Sequence, residues 1–239
     1  MIYLLDKKTL SVKSINEILQ KIDKDKRQFF IKEHIEELYL NYQAQQHDDR
    51  LDYQKMLDIF KDQSVLIIGP GSSVVSEMQK IQAYINANKP IVISINFVPE
   101  GFYIDYLFIT NAKRYVRLAS LLSGLKNVKI IATSNVTKSS GNFDFVLDYE
   151  KLIDRNGVFI DNSLLMLLKV MSKLSVKNVA LAGLDGYSSD KSSNYYTSEM
   201  EYESARQKAE MINNEVNTAL QTLKSSMHIE FITPTLYTL

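Results

Sequence analysis

Small polar residues gather wherever a short apolar run of this chain stops. Gly69-Pro70-Gly71-Ser72-Ser73 follows Val65–Ile68, and Ser94-Ile95-Asn96-Phe97 closes the next run. Thr110-Asn111-Ala112-Lys113-Arg114 follows Tyr106–Ile109, and Gly183-Leu184-Asp185-Gly186-Tyr187-Ser188 follows Val179–Ala182. Glycines before a helix let the backbone turn tightly, and a helix start offers free N–H groups and partial positive charge to a phosphate. Ser72 and Ser73 can donate to such a phosphate or cap the helix, and a plain strand–helix turn is the competing explanation. The segment is not a Walker loop, because no Gly-Lys-Ser/Thr follows. The dinucleotide fingerprint is broken as well: Val74 holds the third glycine position, and Asn96 stands where an acidic residue is expected. NAD is therefore not expected.

An amide at Asn96 can pair with a base or ribose edge without adding charge. Lys113 and Arg114, beside Asn111, sit at a predicted helix start, where cations oppose the helix dipole. They either face an anion or form a solvated surface. Asp185, with Gly183 and Gly186 on either side, can orient a sugar hydroxyl, help hold a metal, or simply form a turn. Ser188 opens a polar loop, rich in Ser, Tyr and Asp to Ser198, that has the size of a lid. Asp161-Asn162-Ser163 reads as a helix N-cap. The three histidines, His34, His47 and His228, are not spaced as metal ligands, and no Gly-x-Ser-x-Gly elbow occurs. Asp185, Glu100 or a tyrosine remains as a general base; no catalytic residue is assigned, Asp185 being the weak candidate, and no metal site is expected.

Sequence periodicity indicates what must position these groups. From Ser64 onward, four- and five-residue apolar runs alternate with helical patterns: 74–87, 112–122, 162–174 and 198–223. Runs without polar alternation suit strands covered on both faces. The repeated strand–helix order predicts an α/β fold, a Rossmann-like parallel sheet flanked by helices, whose ligands bind beyond the strands' carboxyl ends. Residues 1–50 read as a helical extension (periodic over 15–22 and 29–40) ending in a polar linker, and 51–239 as the α/β domain. The chain has 239 residues, 28 Lys+Arg against 28 Asp+Glu, no cysteine and 45% hydrophobic residues. Zero cysteine removes disulfide, thiolate-metal and Cys-nucleophile chemistry. Balanced charge removes the electrostatic case for nucleic acid or an anionic membrane. No apolar run reaches membrane-span length and no signal-peptide core opens the chain, so a cytoplasmic protein is expected.

Two resemblances follow from these segments. VLIIGPGSS, IVISINF and DYLFITNAKR, over 65–114, resemble the domain that follows the catalytic barrel in aldolase-like proteins of bacterial surface-polysaccharide loci. These are proteins of the 4-hydroxy-2-oxovalerate aldolase or hydroxymethylglutaryl-CoA-lyase-like kind. LLDKKTLSVKSINEILQKI and FFIKEHIEELYLNY are similar to the helices that link that barrel to the domain. The resemblance implies an aldolase barrel as partner, in cis or in trans. The His-x-His metal site of such barrels is missing from this sequence, and 239 residues are too few for a barrel of about 250 plus this domain. More distantly, Gly69–Ser73, Asn96 and 162–187 resemble the nucleotide-binding core of bacterial sialyltransferases and motility-accessory glycosyltransferases. That likeness implies that Gly69, Gly71, Ser72, Asn96 and Ser163 hold a CMP-sugar. The family's histidine downstream of its Gly-x-Asp segment has no counterpart, since only His228 follows Asp185.

The expectation is a domain binding a nucleotide or nucleotide-sugar. Gly69, Gly71, Ser72 and Ser73 would hold phosphate, Asn96 the base or ribose, and Lys113 or Arg114 a further anion. Asp185 and Ser188 would contact the sugar, with Asn111, Ser163 and Gly183 beside them. A CMP-sugar glycosyltransferase and a non-catalytic assembly module, forming a homodimer or docking a barrel, are the alternatives.

Overall fold

The structure is a computed structural model, and it describes residues 5–6, 11–12, 40–41, 43–122, 124, 127–136, 142–189, 194–197 and 203–239. The helix expected over 15–22 lies outside those residues, as does all but the last residue of the one expected over 29–40, Leu40, which is helical. What is described near the start is a short antiparallel pair that the periodicity does not announce, β1 (Leu5–Asp6) and β2 (Ser11–Val12).

The main body runs α1 (Arg50–Phe60), β3 (Ser64–Ile68), α2 (Ser73–Ser76), α3 (Met78–Asn88), β4 (Ile91–Ile95), β5 (Tyr106–Ile109), α4 (Ala112–Leu122), β6 (Lys129–Thr133), β7 (Phe145–Leu147), α5 (Tyr149–Leu152), α6 (Ser163–Lys173), β8 (Asn178–Ala182), α7 (Glu203–Gln207), α8 (Ala209–Leu223) and β9 (His228–Phe231). Seven strands form one sheet in the order β7-β6-β5-β4-β3-β8-β9, every pair parallel. This is the Rossmann-like arrangement that unalternating apolar runs require. The chain winds outward from β3 to β7, then returns to the other side of β3 with β8. The order therefore switches between β3 and β8, where a doubly wound sheet opens a crevice.

Period-two alternation sends each strand's side chains to opposite faces. Val65, Ile67, Ile93, Tyr106, Phe108, Ile131 and Leu181 pack on one face with Met56 and Phe60 of α1, Leu167 and Val170 of α6, and Ile212, Val216 and Leu220 of α8. Leu66, Ile68, Val92, Leu107, Ile109 and Ala180 pack on the other with Val74 of α2, Ile81 of α3, and Tyr115 and Leu118 of α4. Phe60 is fully buried, so Phe60→Ala would remove about 3–5 kcal/mol.

The single helix expected over 74–87 is two, because Glu77 leaves helical geometry at φ −107° and ψ 18°. The break separates two anchors: α2 is tied down at Ser73, whereas α3 turns Ile81 onto the sheet. In the region expected as one helix over 198–223, the described part is likewise interrupted, at Lys208 (φ −113°). At the β7 side, Val146 N–H donates to Asp52 Oδ2 (2.9 Å) and Asp148 N–H to Asp49 Oδ2 (3.0 Å). Asp49, 1% exposed, also accepts from Lys151 Nζ at 2.9 Å. Burial pushes the Asp49 carboxyl up, but the Lys151 ammonium and the Asp148 N–H outweigh it and hold it below the usual carboxylate range.

Candidate functional site

Beyond the carboxyl ends of β4 and β5, three polar side chains from three elements close on one another. Asn96 follows β4 with φ 58°, a left-handed conformation that Asn tolerates better than most residues. Its N–H continues the ladder to Phe108 O, which turns the side chain across the end of β5. Asn96 Oδ1 accepts from Thr110 N–H at 2.9 Å, and Nδ2 donates to Thr110 Oγ1 (3.0 Å) and to Ser163 Oγ (2.9 Å). The two hydroxyls are 2.7 Å apart. Ser163 is delivered by the start of α6, which Asn162 caps by accepting from the Leu164 and Leu165 N–H groups at 3.1 and 3.3 Å. Asn135, at the end of β6, adds a bond from Nδ2 to Thr110 O (3.0 Å).

A cleft of about 290 Å³ opens over this cluster, near the lower end of the range for small-ligand sites. Asn96, Thr110, Asn111, Arg114, Asn162 and Ser163 supply its polar lining. Phe159, Leu184, Tyr187, Tyr195 and Tyr237 supply an apolar and aromatic lining suited to a flat ring. Tyr187 and Tyr195 meet edge to face with centroids 6.2 Å apart. Burial, helped by Tyr187 and Asp185, pushes the Tyr237 hydroxyl well above its usual range and keeps it a neutral donor. Asp161 brings a carboxylate to the same cleft. Burial raises that carboxyl above its usual range; its own N–H and the Tyr149 hydroxyl, 3.5 Å from Oδ2, act in the opposite direction.

The glycine-rich turn has a different neighbour. Asp185 accepts from Ser73 N–H at 2.9 Å, from Ser72 Oγ at 3.2 Å and from the Ser73 hydroxyl. The negative charge at the start of α2 is thus supplied by the chain itself, and α2 has only four residues. Gly69 N–H donates to Ala182 O at 2.8 Å and Gly71 N–H to Gly183 O at 2.7 Å. A Cβ on Gly71 would lie 2.6 Å from the Asp185 carboxyl carbon, and one on Gly69 2.7 Å from Gly183 O. Gly183 has φ +63°, and a Cβ there would meet Val74 Cγ2 at 2.2 Å. The close helix–strand approach that a third glycine permits in dinucleotide folds is obtained here by Gly183, on the neighbouring strand, making room for Val74.

All but two of the binding residues expected from the sequence, Lys113 and Ser188, therefore fall into two groups. Asn96, Asn111, Arg114 and Ser163 line one cleft. Gly69, Gly71, Ser72, Ser73, Gly183 and Asp185 form an interlock at the β3/β8 switch, with Pro70 and Leu184 reaching from it into the cleft wall. Lys113 is exposed and does not line the cleft. Ser188 N–H and C=O are bonded by the Asn194 side chain at 2.7 and 2.8 Å, and Ser188 borders a second cleft along α8 with Asn213 and Asn217. The described part of the loop expected as a lid, 194–197, crosses the strand ends: Tyr196 N–H donates to Pro70 O and its ring packs 5.5 Å from Phe97. Glu100 is exposed.

Thr110, Phe159, Asp161, Tyr187, Tyr195 and Tyr237 also line the cleft, beyond the residues expected from the sequence. Thr110 and Tyr187 follow strand ends, within 110–114 and 183–188, and carry the same positional signal as Asn96. Phe159 and Tyr237 carry no local signal, being brought in by the loop before α6 and by the chain's last residues. Among the described residues no cluster of three or more His, Asp or Glu is arranged to hold a metal, and no helix is long and apolar enough to cross a membrane. No protein-family model and no curated protein matches the chain.

Proposed function

We propose that this chain is a binding domain for a nucleotide or nucleotide-sugar, held in the cleft over Asn96, Thr110 and Ser163. One observation carries the reading: at the carboxyl ends of β3, β4, β5 and β8, a single cleft combines aromatic walls, neutral amides and a cation. Aromatic faces take a base, amides read its edge without charge, and Arg114 attracts phosphate. Asn111 extends the polar floor. The phosphate falls to Arg114 on this reading, because Asp185 already satisfies the Ser72–Ser73 turn. The resemblance to the domain behind an aldolase barrel supplies a setting, in which the domain works beside such a barrel in cis or in trans.

The test is a panel of CMP, UDP and GDP and their sugar conjugates in a thermal-shift assay. Occupancy at a hundredfold excess over Kd adds about 2.7 kcal/mol of stability. No shift with any member of the panel refutes the reading and leaves the assembly module, whose signature is a concentration-dependent mass in solution. Transfer or hydrolysis of a bound nucleotide-sugar would instead identify a glycosyltransferase.

A further inference from the structure

The cleft contains one carboxylate whose own chain barely uses it. Asp161 lies in the loop immediately before the Asn162 cap, in the wall that also presents Phe159. Its carboxylate accepts from its own N–H and meets the Tyr149 hydroxyl at 3.5 Å, a long contact for a hydrogen bond to a carboxylate. A charged group withdrawn from water without strong partners is destabilising, and such groups concentrate where a ligand completes them. The contrast with Asp49 is direct. That buried carboxylate has an ammonium at 2.9 Å and a backbone N–H at 3.0 Å, and its carboxyl is held low, whereas burial leaves Asp161 high.

Position adds a second argument. Folds that bind a nucleotide at strand ends commonly carry an acidic residue after the second strand to take ribose hydroxyls, and here that place holds Asn96. Asn96 Nδ2 is 2.9 Å from Ser163 Oγ, and Asp161, two residues before Ser163 in the loop leading into α6, lines the same cleft. An ionised carboxylate is an acceptor with two oxygens, the complement of two neighbouring hydroxyl donors.

We propose that Asp161 is the diol-recognising residue of the cleft, accepting hydrogen bonds from the adjacent hydroxyls of the ligand's ribose. The assignment rests on the nucleotide reading above and makes the cleft selective for ribose over sugars lacking the 2′ and 3′ hydroxyls.

Calorimetric titration of the full chain with CMP, UDP and GDP, each against its 2′,3′-dideoxy counterpart, tests it. The wild-type chain should prefer the ribonucleotide by roughly 10- to 100-fold, the range for hydrogen bonds to a charged acceptor. In Asp161→Ala the preference should fall to within about twofold, the dideoxy affinity staying near wild type. Asp161→Asn, which keeps one acceptor oxygen, should lie between them and melt no lower than wild type without ligand at neutral pH, because it removes a half-buried charge with weak partners. Equal affinity of the wild type for both sugars, or a preference that survives in Asp161→Ala, overturns the role of Asp161 while leaving nucleotide binding intact. Absence of binding to every probe overturns both readings together.

Discussion

Asp185→Ala separates a residue that builds the fold from one that meets a ligand. The carboxylate accepts from the Ser73 N–H at 2.9 Å, from Ser72 Oγ at 3.2 Å and from the Ser73 hydroxyl. Hydrogen bonds to a charged group contribute about 1.5–3 kcal/mol each, and a buried donor left unpaired costs about 1–3 kcal/mol. The three donors do not weigh equally. Ser73 is 7% exposed, so its N–H has little water to turn to, whereas Ser72 is half-buried and its hydroxyl can rehydrate. Counting Ser73 in full and Ser72 at a fraction gives a loss of about 3–4 kcal/mol. For a chain of this size that lowers Tm by about 6–16 °C. Asp185→Asn keeps one acceptor and should lose about half as much. Urea unfolding is the assay, since an unchanged slope with a lower midpoint assigns the effect to the folded state. A variant within about 1 kcal/mol of wild type would refute the interlock. If it also lost nucleotide affinity, Asp185 would have to be reassigned to the ligand.

Further outcomes follow from the same geometry. Asn96→Gly keeps the left-handed backbone at φ 58° but removes the amide that holds Thr110 and Ser163. It should fold, lose about 1–3 kcal/mol from the unpaired Thr110 N–H, and weaken nucleotide binding in the thermal-shift panel; undiminished binding would remove Asn96 from the site. Gly183→Ala puts a Cβ 2.2 Å from Val74 Cγ2 and 2.4 Å from Gly69 O at φ +63°, so a loss above about 4 kcal/mol is expected. Val74→Ala should not rescue it, because the clash with the backbone oxygen remains; circular dichroism of a soluble, wild-type-like Gly183→Ala protein would contradict this. Asp49 has a lowered folded-state pKa, so its stabilisation is complete above its unfolded value near 3.8 and drains away as pH falls toward the folded one. Urea midpoints of wild type and Asp49→Asn should therefore converge below about pH 3.8, and a gap that persists unchanged there would show that the carboxylate charge is not what matters.

The sheet could be read because its residues speak locally. Ile91–Ile95, Tyr106–Ile109 and Ala112–Leu122 occupy the expected spans, since a run buried on both faces and an amphipathic helix each leave a pattern within a dozen residues. The cleft could be read only in part. Asn96, Asn111, Arg114 and Ser163 sit at strand or helix ends, where a parallel sheet concentrates ligand groups, so position alone singled them out. Lys113 sits beside Arg114 with the same charge, and only the helix's rotation decides which of the two reaches the cleft. The interlock was hidden for another reason. Asp185 and Ser73 are 112 residues apart in sequence, and no local rule indicates that a turn inviting a phosphate will receive a carboxylate from the neighbouring strand.

The bonds from Val146 and Asp148 to two aspartates of the α1 region have a consequence for how the protein associates with its own kind. Among the described residues β7 is the last strand on its side of the sheet, and its outward N–H groups would otherwise offer a template for another chain. Asp52 and Asp49 occupy two of them with acceptors that cannot propagate a ladder. That flank is thus closed by side chains at the start of α1 rather than by another strand. Removing both acceptors, in Asp49→Ala with Asp52→Ala, should therefore favour self-association through β7 ahead of any loss of the parallel sheet.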